Sequence, residues 1–130
     1  MHDDLCSFDY AIIRVVPRVE RGEFINAGII LSCSAKAYLN ALIHLDRSRL
    51  AALCTSADAE LIQEHLSIIP CICRGEEDAG PIARLPRAER FDWLTAPRST
   101  IIQTSPVHTG ACADPEAELK KLLELMVAAC

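Results

Sequence analysis

The chain has 130 residues, which is long enough for one domain with its own core, and we expect a single domain over residues 1–130. Apolar residues make up 51% of it and charged residues 24%, as is typical of globular proteins, and no apolar run is long enough for a membrane span. The formal net charge of −5 argues against non-specific nucleic-acid binding, which needs a basic surface.

The N-terminal half begins with two predicted strands. Its first ten residues lack the basic and apolar regions of a signal peptide, so we expect a cytoplasmic protein. Residues 8–16 are β-branched, aromatic and largely apolar on both faces, which predicts a central strand. Residues 23–33 predict a second strand, and we assign Ile25, Ala27, Ile29 and Leu31 to its core face. Gly28 in mid-strand favours a bulge or tight packing over a ligand contact.

Polar side chains interrupt this otherwise apolar pair of strands and fill the loop between them. A purely structural hairpin does not need so many of them. They are Arg14, Arg18, Glu20, Arg21, Glu23 and Asn26.

A third strand at residues 37–45 follows a short turn, so it should pair antiparallel with the second. Asp46 is a good N-cap for a short helix, and a longer helix should begin near residues 55–58 and end or kink at Pro70. His65 lies on the apolar face of that helix, so we expect it to be packed. Residues 85–94 predict a third helix.

A second polar stretch follows the third helix. Residues 99–104 predict a fourth strand, which should pair with the free edge of the first. Hydroxyl, amide, guanidinium and imidazole groups crowd this stretch in the manner of an anion site. Hydrogen bonds from the hydroxyl groups to local backbone are the structural alternative. The side chains concerned are Arg98, Ser99, Thr100, Gln103 and His108.

The last predicted element is an amphipathic helix capped by Asp114, with Pro115 as its first residue. Its apolar residues recur at i, i+3, i+4 and i+7, which indicates a helix that covers one face of the sheet. They are Leu119, Leu122, Leu123 and Met126.

The chain has seven cysteines, an odd number that favours reduced thiols over a disulfide framework. Cys71 and Cys73 are separated by one residue, which is not the spacing of structural zinc ligands. A site that joins them with Cys54 and His65 is the alternative. We expect no metal and no cofactor.

Residues 14–28, RVVPRVERGEFINAG, and residues 91–100 with 106–110 resemble a bacterial family of unknown function, DUF3037. The resemblance covers nearly the whole chain. It implies a small bacterial protein without an established activity or known catalytic residues. Some members of the family are encoded beside HipA-like kinases, so the resemblance also suggests a protein partner of that kind.

Together these elements predict an α+β domain with a small, mostly antiparallel sheet of about four strands. The order is three strands, three helices, a strand and a helix, with the helices packed on one face.

The hypothesis we prefer is a binding module or accessory subunit with an arginine-rich polar face for an anionic ligand or a protein partner. Its predicted binding residues are Arg14, Arg18, Glu20, Glu23, Asn26, Arg98, Ser99, Thr100, Gln103 and His108. We expect the two polar stretches to meet in space through the pairing of the first and fourth strands. One alternative is a structural subunit held by an Arg–Glu network. The other is a hydrolase or nuclease using Glu20, Glu23 and His108 as acid or base.

Overall fold

A five-stranded antiparallel sheet forms the centre of the part of the chain that the computed structural model describes, residues 5–128. Its strands are β1 (Cys6–Val15), β2 (Ile25–Cys33), β3 (Tyr38–Ile43), β4 (Ile102–Thr104) and β5 (His108–Cys112). β3, β2 and β1 lie side by side in that order. β4 and β5 pair with successive parts of the other edge of β1, which confirms the predicted pairing of the first and fourth strands.

The polar stretch after α3 differs most from its prediction. β4 has three residues instead of six, and the residues after it, for which no strand was predicted, contain β5. β5 is mostly exposed and pairs through its backbone, so it lacks the apolar alternation that marks a half-buried strand. Gly110 allows the ring of Phe8 to lie across it, since a Cβ there would lie 2.7 Å from the ring atom Cζ.

Four α-helices accompany the sheet, and three of them begin at a capping aspartate. They are α1 (Arg47–Leu53), α2 (Ala59–Cys73), α3 (Arg87–Thr95) and α4 (Pro115–Leu123). The side chains of Asp46, Asp58 and Asp114 accept hydrogen bonds from backbone N–H groups in the first turns of α1, α2 and α4. α2 continues through Pro70 to Cys73, so Pro70 does not end that helix.

A bulge divides β2. Ile13 pairs with Gly28 and Arg14 with Asn26, which leaves Ala27 as an extra residue in the strand. A Cβ on Gly28 would lie 2.6 Å from the carbonyl oxygen of Leu42, so the preference for a bulge or tight packing at this glycine is confirmed. The extra residue turns the following side chains to the opposite face. The prediction of one shared core face was therefore wrong, because Ala27 and Ile29 lie on different faces.

Helices cover both faces of the sheet. On one face, buried side chains of β1 and β2 pack against α1, α2 and α3; on the other, they pack against α4. The α+β class is confirmed, and the position of α4 differs from the prediction that all helices lie on one face. Both faces need a cover because β1 and β2 carry apolar residues on both sides, such as Ile13 on the first face and Phe8 on the second.

α4 packs into the core as predicted, with Leu119 and Leu122 buried. It ends in a π-helical turn, residues Glu124–Ala128, which has more residues per turn than an α-helix. The turn shifts the apolar face by one position. Val127 is 2% exposed, whereas Met126, which was predicted to face the core, is 38% exposed.

Among residues 5–128, none of the six cysteines is in a disulfide bond, and Cys130 lies outside this range. The same residues contain no group of three His, Cys, Asp or Glu side chains that could hold a metal ion. None of the described helices combines the length and the apolar content needed to cross a bilayer.

Candidate functional site

A groove with a volume of about 690 Å³ runs between α2 on one side and α3 with the segment 98–104 on the other. Its volume is within the range of binding sites for organic ligands. A smaller cavity of about 260 Å³ adjoins it, since Leu61, Ile62 and Ile101 line both. The two together form one continuous depression along α2, which we call the α2 groove.

The floor and walls of the α2 groove are mostly apolar. α2 contributes five of its apolar side chains and the exposed imidazole of His65, while α3 contributes Trp93 and Leu94. In residues 5–128, ten large apolar side chains are exposed, and five of them line this groove. These five are Val19, Leu61, Ile68, Trp93 and Ile101. An apolar surface gathered in one concave place is typical of a binding site, whereas scattered single residues are not.

Arg98 is a cation at the rim of the α2 groove. Its guanidinium carbon lies 4.6 Å from the ring centroid of Trp93, and its Nη2 donates a hydrogen bond to the carbonyl oxygen of the same residue. These two contacts hold the planar group in place and leave other N–H donors available. Within the described range, no carboxylate forms a salt bridge with Arg98, as the ion pairs there involve other arginines.

The residues after Arg98 fold back on their own backbone. Thr100 Oγ1 donates to the carbonyl oxygen of Ile102 at 2.8 Å, and Gln103 Nε2 donates to the carbonyl oxygen of Thr100 at 2.8 Å. The alternative that hydroxyl groups bond local backbone is confirmed for Thr100, and the amide of Gln103 bonds local backbone as well. Arg98, Ser99 and Thr100 share the surface of the groove. Gln103 borders the groove too, but it pairs directly with Arg14, so its side chain leaves the sheet on the face opposite to that of Ile102.

The charged loop between β1 and β2 forms two local ion pairs. Arg18 pairs with Glu20 at 3.2 Å and Arg21 with Glu23 at 2.6 Å, and all four side chains are exposed to solvent. Exposed pairs of this kind contribute little to stability. The pKa of Glu20 is lowered, first by a hydrogen bond from its own backbone and then by Arg18. Arg21 likewise lowers the pKa of Glu23.

Arg18 reaches the α2 groove as well, since it lines the smaller cavity with Cys54 and Ser56. The Sγ of Cys54 lies 3.5 Å from the hydroxyl oxygen of Ser56, and this hydrogen bond is the main cause of a lowered Cys54 pKa. Arg18 therefore belongs to the groove, while Glu20 and Glu23 do not line it.

Arg14 and Asn26 lie opposite each other in the sheet, away from the groove. Arg14 alternates with Ile13 and Val15, which belong to the cluster on the α2 face, so its side chain leaves the sheet on the α4 face. Its guanidinium carbon lies 4.2 Å from the ring centroid of Phe24. The amide of Asn26 donates to the carbonyl oxygen of Met126 at 3.0 Å.

Apart from Arg18, which lines the smaller cavity of the α2 groove, the first polar stretch meets the second only through its backbone. Arg14 pairs with Gln103 in the ladder between β1 and β4, but its side chain lies on the other face from the apolar floor of the groove. His108 pairs with Tyr10 in the middle of β1, and their ring centroids are 5.3 Å apart. Val15 follows Tyr10 by five positions, about 17 Å along the strand, and there the strand meets the loop that carries Glu20 and Glu23. The structure does not bring His108 together with these carboxylates.

The apolar side of the α2 groove was not recognised in the sequence. α2 carries two apolar stripes, and only the one that includes Ile62 and Leu66 is needed for the core. The other stripe, with Leu61 and Ile68, is about half exposed. His65 lies in this second stripe and is exposed, so the expectation that it is packed was wrong. The sequence signal for the groove was the width of the apolar face of α2, which is greater than packing on the sheet alone requires.

One of the comparisons with known proteins identifies a family, and none of them adds an activity. A family model described as Protein of unknown function (DUF3037) matches residues 10–127. The match covers nearly the whole chain, so the chain belongs to the DUF3037 family. No curated protein and no solved structure gives a significant match.

Proposed function

We propose that this member of the DUF3037 family is a binding module whose α2 groove takes an elongated ligand with an apolar body and an anionic group. The observation that carries this proposal is the concentration of exposed apolar side chains in one groove, with Arg98 at its rim. An apolar body would remove those side chains from water. A carboxylate or phosphate would occupy the N–H donors of Arg98 that do not bond the carbonyl oxygen of Trp93.

The geometry supports binding more than the two alternatives. A general acid works best with a pKa raised toward neutrality, whereas the pKa values of Glu20 and Glu23 are lowered and both side chains are exposed. A structural ion network would need buried or shared pairs, but the pairs in this loop are exposed and join residues two positions apart. We therefore assign the function to the groove and not to the charged loop.

A fluorescent probe with the same chemistry tests the proposal. Anilinonaphthalene sulfonate has an apolar ring system and one sulfonate, and its fluorescence rises when it leaves water. We expect it to bind the folded protein, to bind more weakly to Arg98→Ala, and to lose its binding in Ile68→Glu. Ile68 is 48% exposed, so a charge there should alter the groove without unfolding the protein.

The matched control is Leu125→Glu, which places the same charge on an apolar side chain that is 59% exposed and does not line the groove. This variant should bind the probe like the unmodified protein. Near-ultraviolet circular dichroism confirms that each variant keeps its packing. If folded Ile68→Glu binds the probe as well as Leu125→Glu does, the groove is not the binding site.

A further inference from the structure

We infer that the occupant of the α2 groove is an amphipathic helix of a protein partner, acidic on one flank of its apolar stripe and basic on the other. This inference deepens the proposed binding function and depends on it. It rests on the spacing of apolar residues along α2 and on the charges on the two sides of the groove.

α2 carries two parallel seams with the spacing of a coiled coil. The buried seam consists of Ile62, Leu66, Ile69 and Cys73, which are separated by four, three and four residues. The seam in the groove consists of Leu61, His65, Ile68 and Ile72, with the same separations. Alternating steps of three and four place side chains where the knobs of a second helix fit between them. The sheet face covers the first seam. In the second seam, Ile72 is buried at one end, whereas Leu61, His65 and Ile68 are exposed and have the geometry to receive another helix.

The length of the groove matches a short helix. From Leu61 to Ile68, the exposed part of the seam, α2 rises about 10 Å, or two turns, so a partner helix of about eight residues would cover it. Trp93 and Ile101 form the other side of the groove and are both more than 40% exposed. A convex helix with apolar residues at i, i+3 or i+4, and i+7 would contact both sides at once.

The charges on the two sides of the groove differ. Arg98 lies on the side formed by α3 and the segment after it. Glu64 precedes His65 in α2, and it is exposed on the flank of the seam that faces away from the buried seam. A helix lying along the seam therefore has a cation on one flank and a carboxylate on the other. Acidic residues toward Arg98 and basic residues toward Glu64 complement this arrangement and fix the direction of the helix.

An extended peptide fits the structure less well. One edge of the sheet is β3, where the backbone N–H of Ala41 already donates to the side chain of Asn40 at 2.9 Å. That bond occupies a donor that strand addition would need. The groove itself is lined on one side by a helix, whose backbone groups are bonded within the helix, so it offers no row of free donors and acceptors there.

Selection from a displayed library of helix-biased peptides of about 16 residues tests the inference. Binders are selected on the unmodified protein and depleted on Ile68→Glu. We expect the selected peptides to share an apolar stripe with heptad spacing, Asp or Glu on one flank and Lys or Arg on the other. The best one, made synthetically, should gain helicity on binding and lose about tenfold in affinity with Arg98→Ala, while Leu125→Glu binds it unchanged.

A charge exchange gives the sharpest readout. Arg98→Glu should weaken the acidic-flank peptide, and the same peptide with Lys in place of its acidic residues should recover binding to that variant. Selection of proline-containing or strictly alternating extended sequences would overturn the inference. So would a homodimer that Ile68→Glu converts to a monomer, because a second copy would then occupy the groove. If the sulfonate probe binds the groove but no helical peptide does, only this inference fails. If neither binds, the proposed function fails too.

Discussion

Ser105 is buried at the point where β4 has ended and β5 has not yet begun. Its backbone N–H donates to the carbonyl oxygen of Ile12 at 2.8 Å, and its Oγ accepts from the N–H of Ile12 at 2.8 Å. The hydroxyl in turn donates to the carbonyl oxygen of Pro106 at 2.9 Å. The hydroxyl of Ser105 thus accepts the hydrogen bond that a backbone carbonyl of a continuous partner strand would accept. This allows two short strands to pair with one edge of β1.

Ser105→Ala should destabilise the protein by about 1–3 kcal/mol, because it leaves the N–H of Ile12 buried without its acceptor. Urea unfolding monitored by circular dichroism measures this free energy. Ser99→Ala is the matched control, since Ser99 is exposed and should change stability by less than about 0.5 kcal/mol. Equal stability of the two variants would show that the hydroxyl is not needed at the gap between β4 and β5.

The thiols of Cys54 and Cys73 should differ in their reactivity. Cys54 is partly exposed and its pKa is lowered, mainly by the hydrogen bond with Ser56, whereas burial raises the pKa of Cys73 to about 12. Because the thiolate is the reactive form, a lowered pKa means faster alkylation at a given pH. At about pH 8, iodoacetamide should therefore modify Cys54 first and leave Cys73 intact until the protein unfolds.

Peptide mass mapping over time identifies the modified residue. Ser56→Ala should slow the alkylation of Cys54, because it removes the hydrogen bond that favours the thiolate. Modification of Cys73 in the folded protein at the rate of Cys54 would contradict the prediction.

Two single-residue irregularities account for side chains that the sequence placed on the wrong face. In β2 the extra residue Ala27 places Ile25 and Ile29 on opposite faces of the sheet. After α4, the π-helical turn buries Val127 in place of Met126, which was predicted to face the core. Periodicity predicted that these elements exist and which residues could be buried. It could not place the irregularities, because each depends on the partner strand or the neighbouring helix.

The α2 groove was only half predictable for a related reason. Polar residues in a loop are visible in a sequence, so Arg98 and the residues after it were recognised as one surface. Arg14 was assigned to the same surface because pairing of the first and fourth strands brings their backbones together. The pairing of two strands does not determine on which face of the sheet a side chain lies, and the side chain of Arg14 lies on the α4 face. In the sequence, Leu61 and Ile68 have the pattern of core residues, and only the structure shows that they are exposed.

α4 should contribute strongly to stability through the face that it packs on the sheet. Leu122 is buried among residues of β1, β2 and β5, so Leu122→Ala should cost about 2–5 kcal/mol of unfolding free energy. Leu125→Ala, in the exposed part of the following π-helical turn, is the control and should cost less than about 1 kcal/mol. Denaturant midpoints give both values. A Leu122→Ala midpoint equal to that of the control would show that α4 does not hold the sheet from this side.

Over the whole described chain, two apolar clusters are separated by the sheet but built from the same strands. β1 contributes Ile13 and Val15 to the cluster beneath α2 and Phe8 to the cluster beneath α4. β2 does the same with Ile30 on one side and Ile29 on the other. Loss of either cluster would leave one apolar face of both strands open to water. We therefore propose that residues 1–130 unfold as one cooperative unit, as small single domains usually do.

Trp93 allows this to be tested, because it is the chain's one tryptophan and lies in α3, on the α2 side of the sheet. Leu122→Ala removes packing on the opposite side, beneath α4. If the chain is one unit, the urea midpoints from Trp93 fluorescence and from far-ultraviolet circular dichroism should fall together in this variant. Leu66→Ala, on the side of Trp93, should lower both midpoints in the same way. A different result would contradict the proposal: in Leu122→Ala, the fluorescence midpoint stays at its original value while the circular dichroism midpoint falls. The two faces of the sheet would then unfold separately, because the α2 side would keep its packing after α4 has detached.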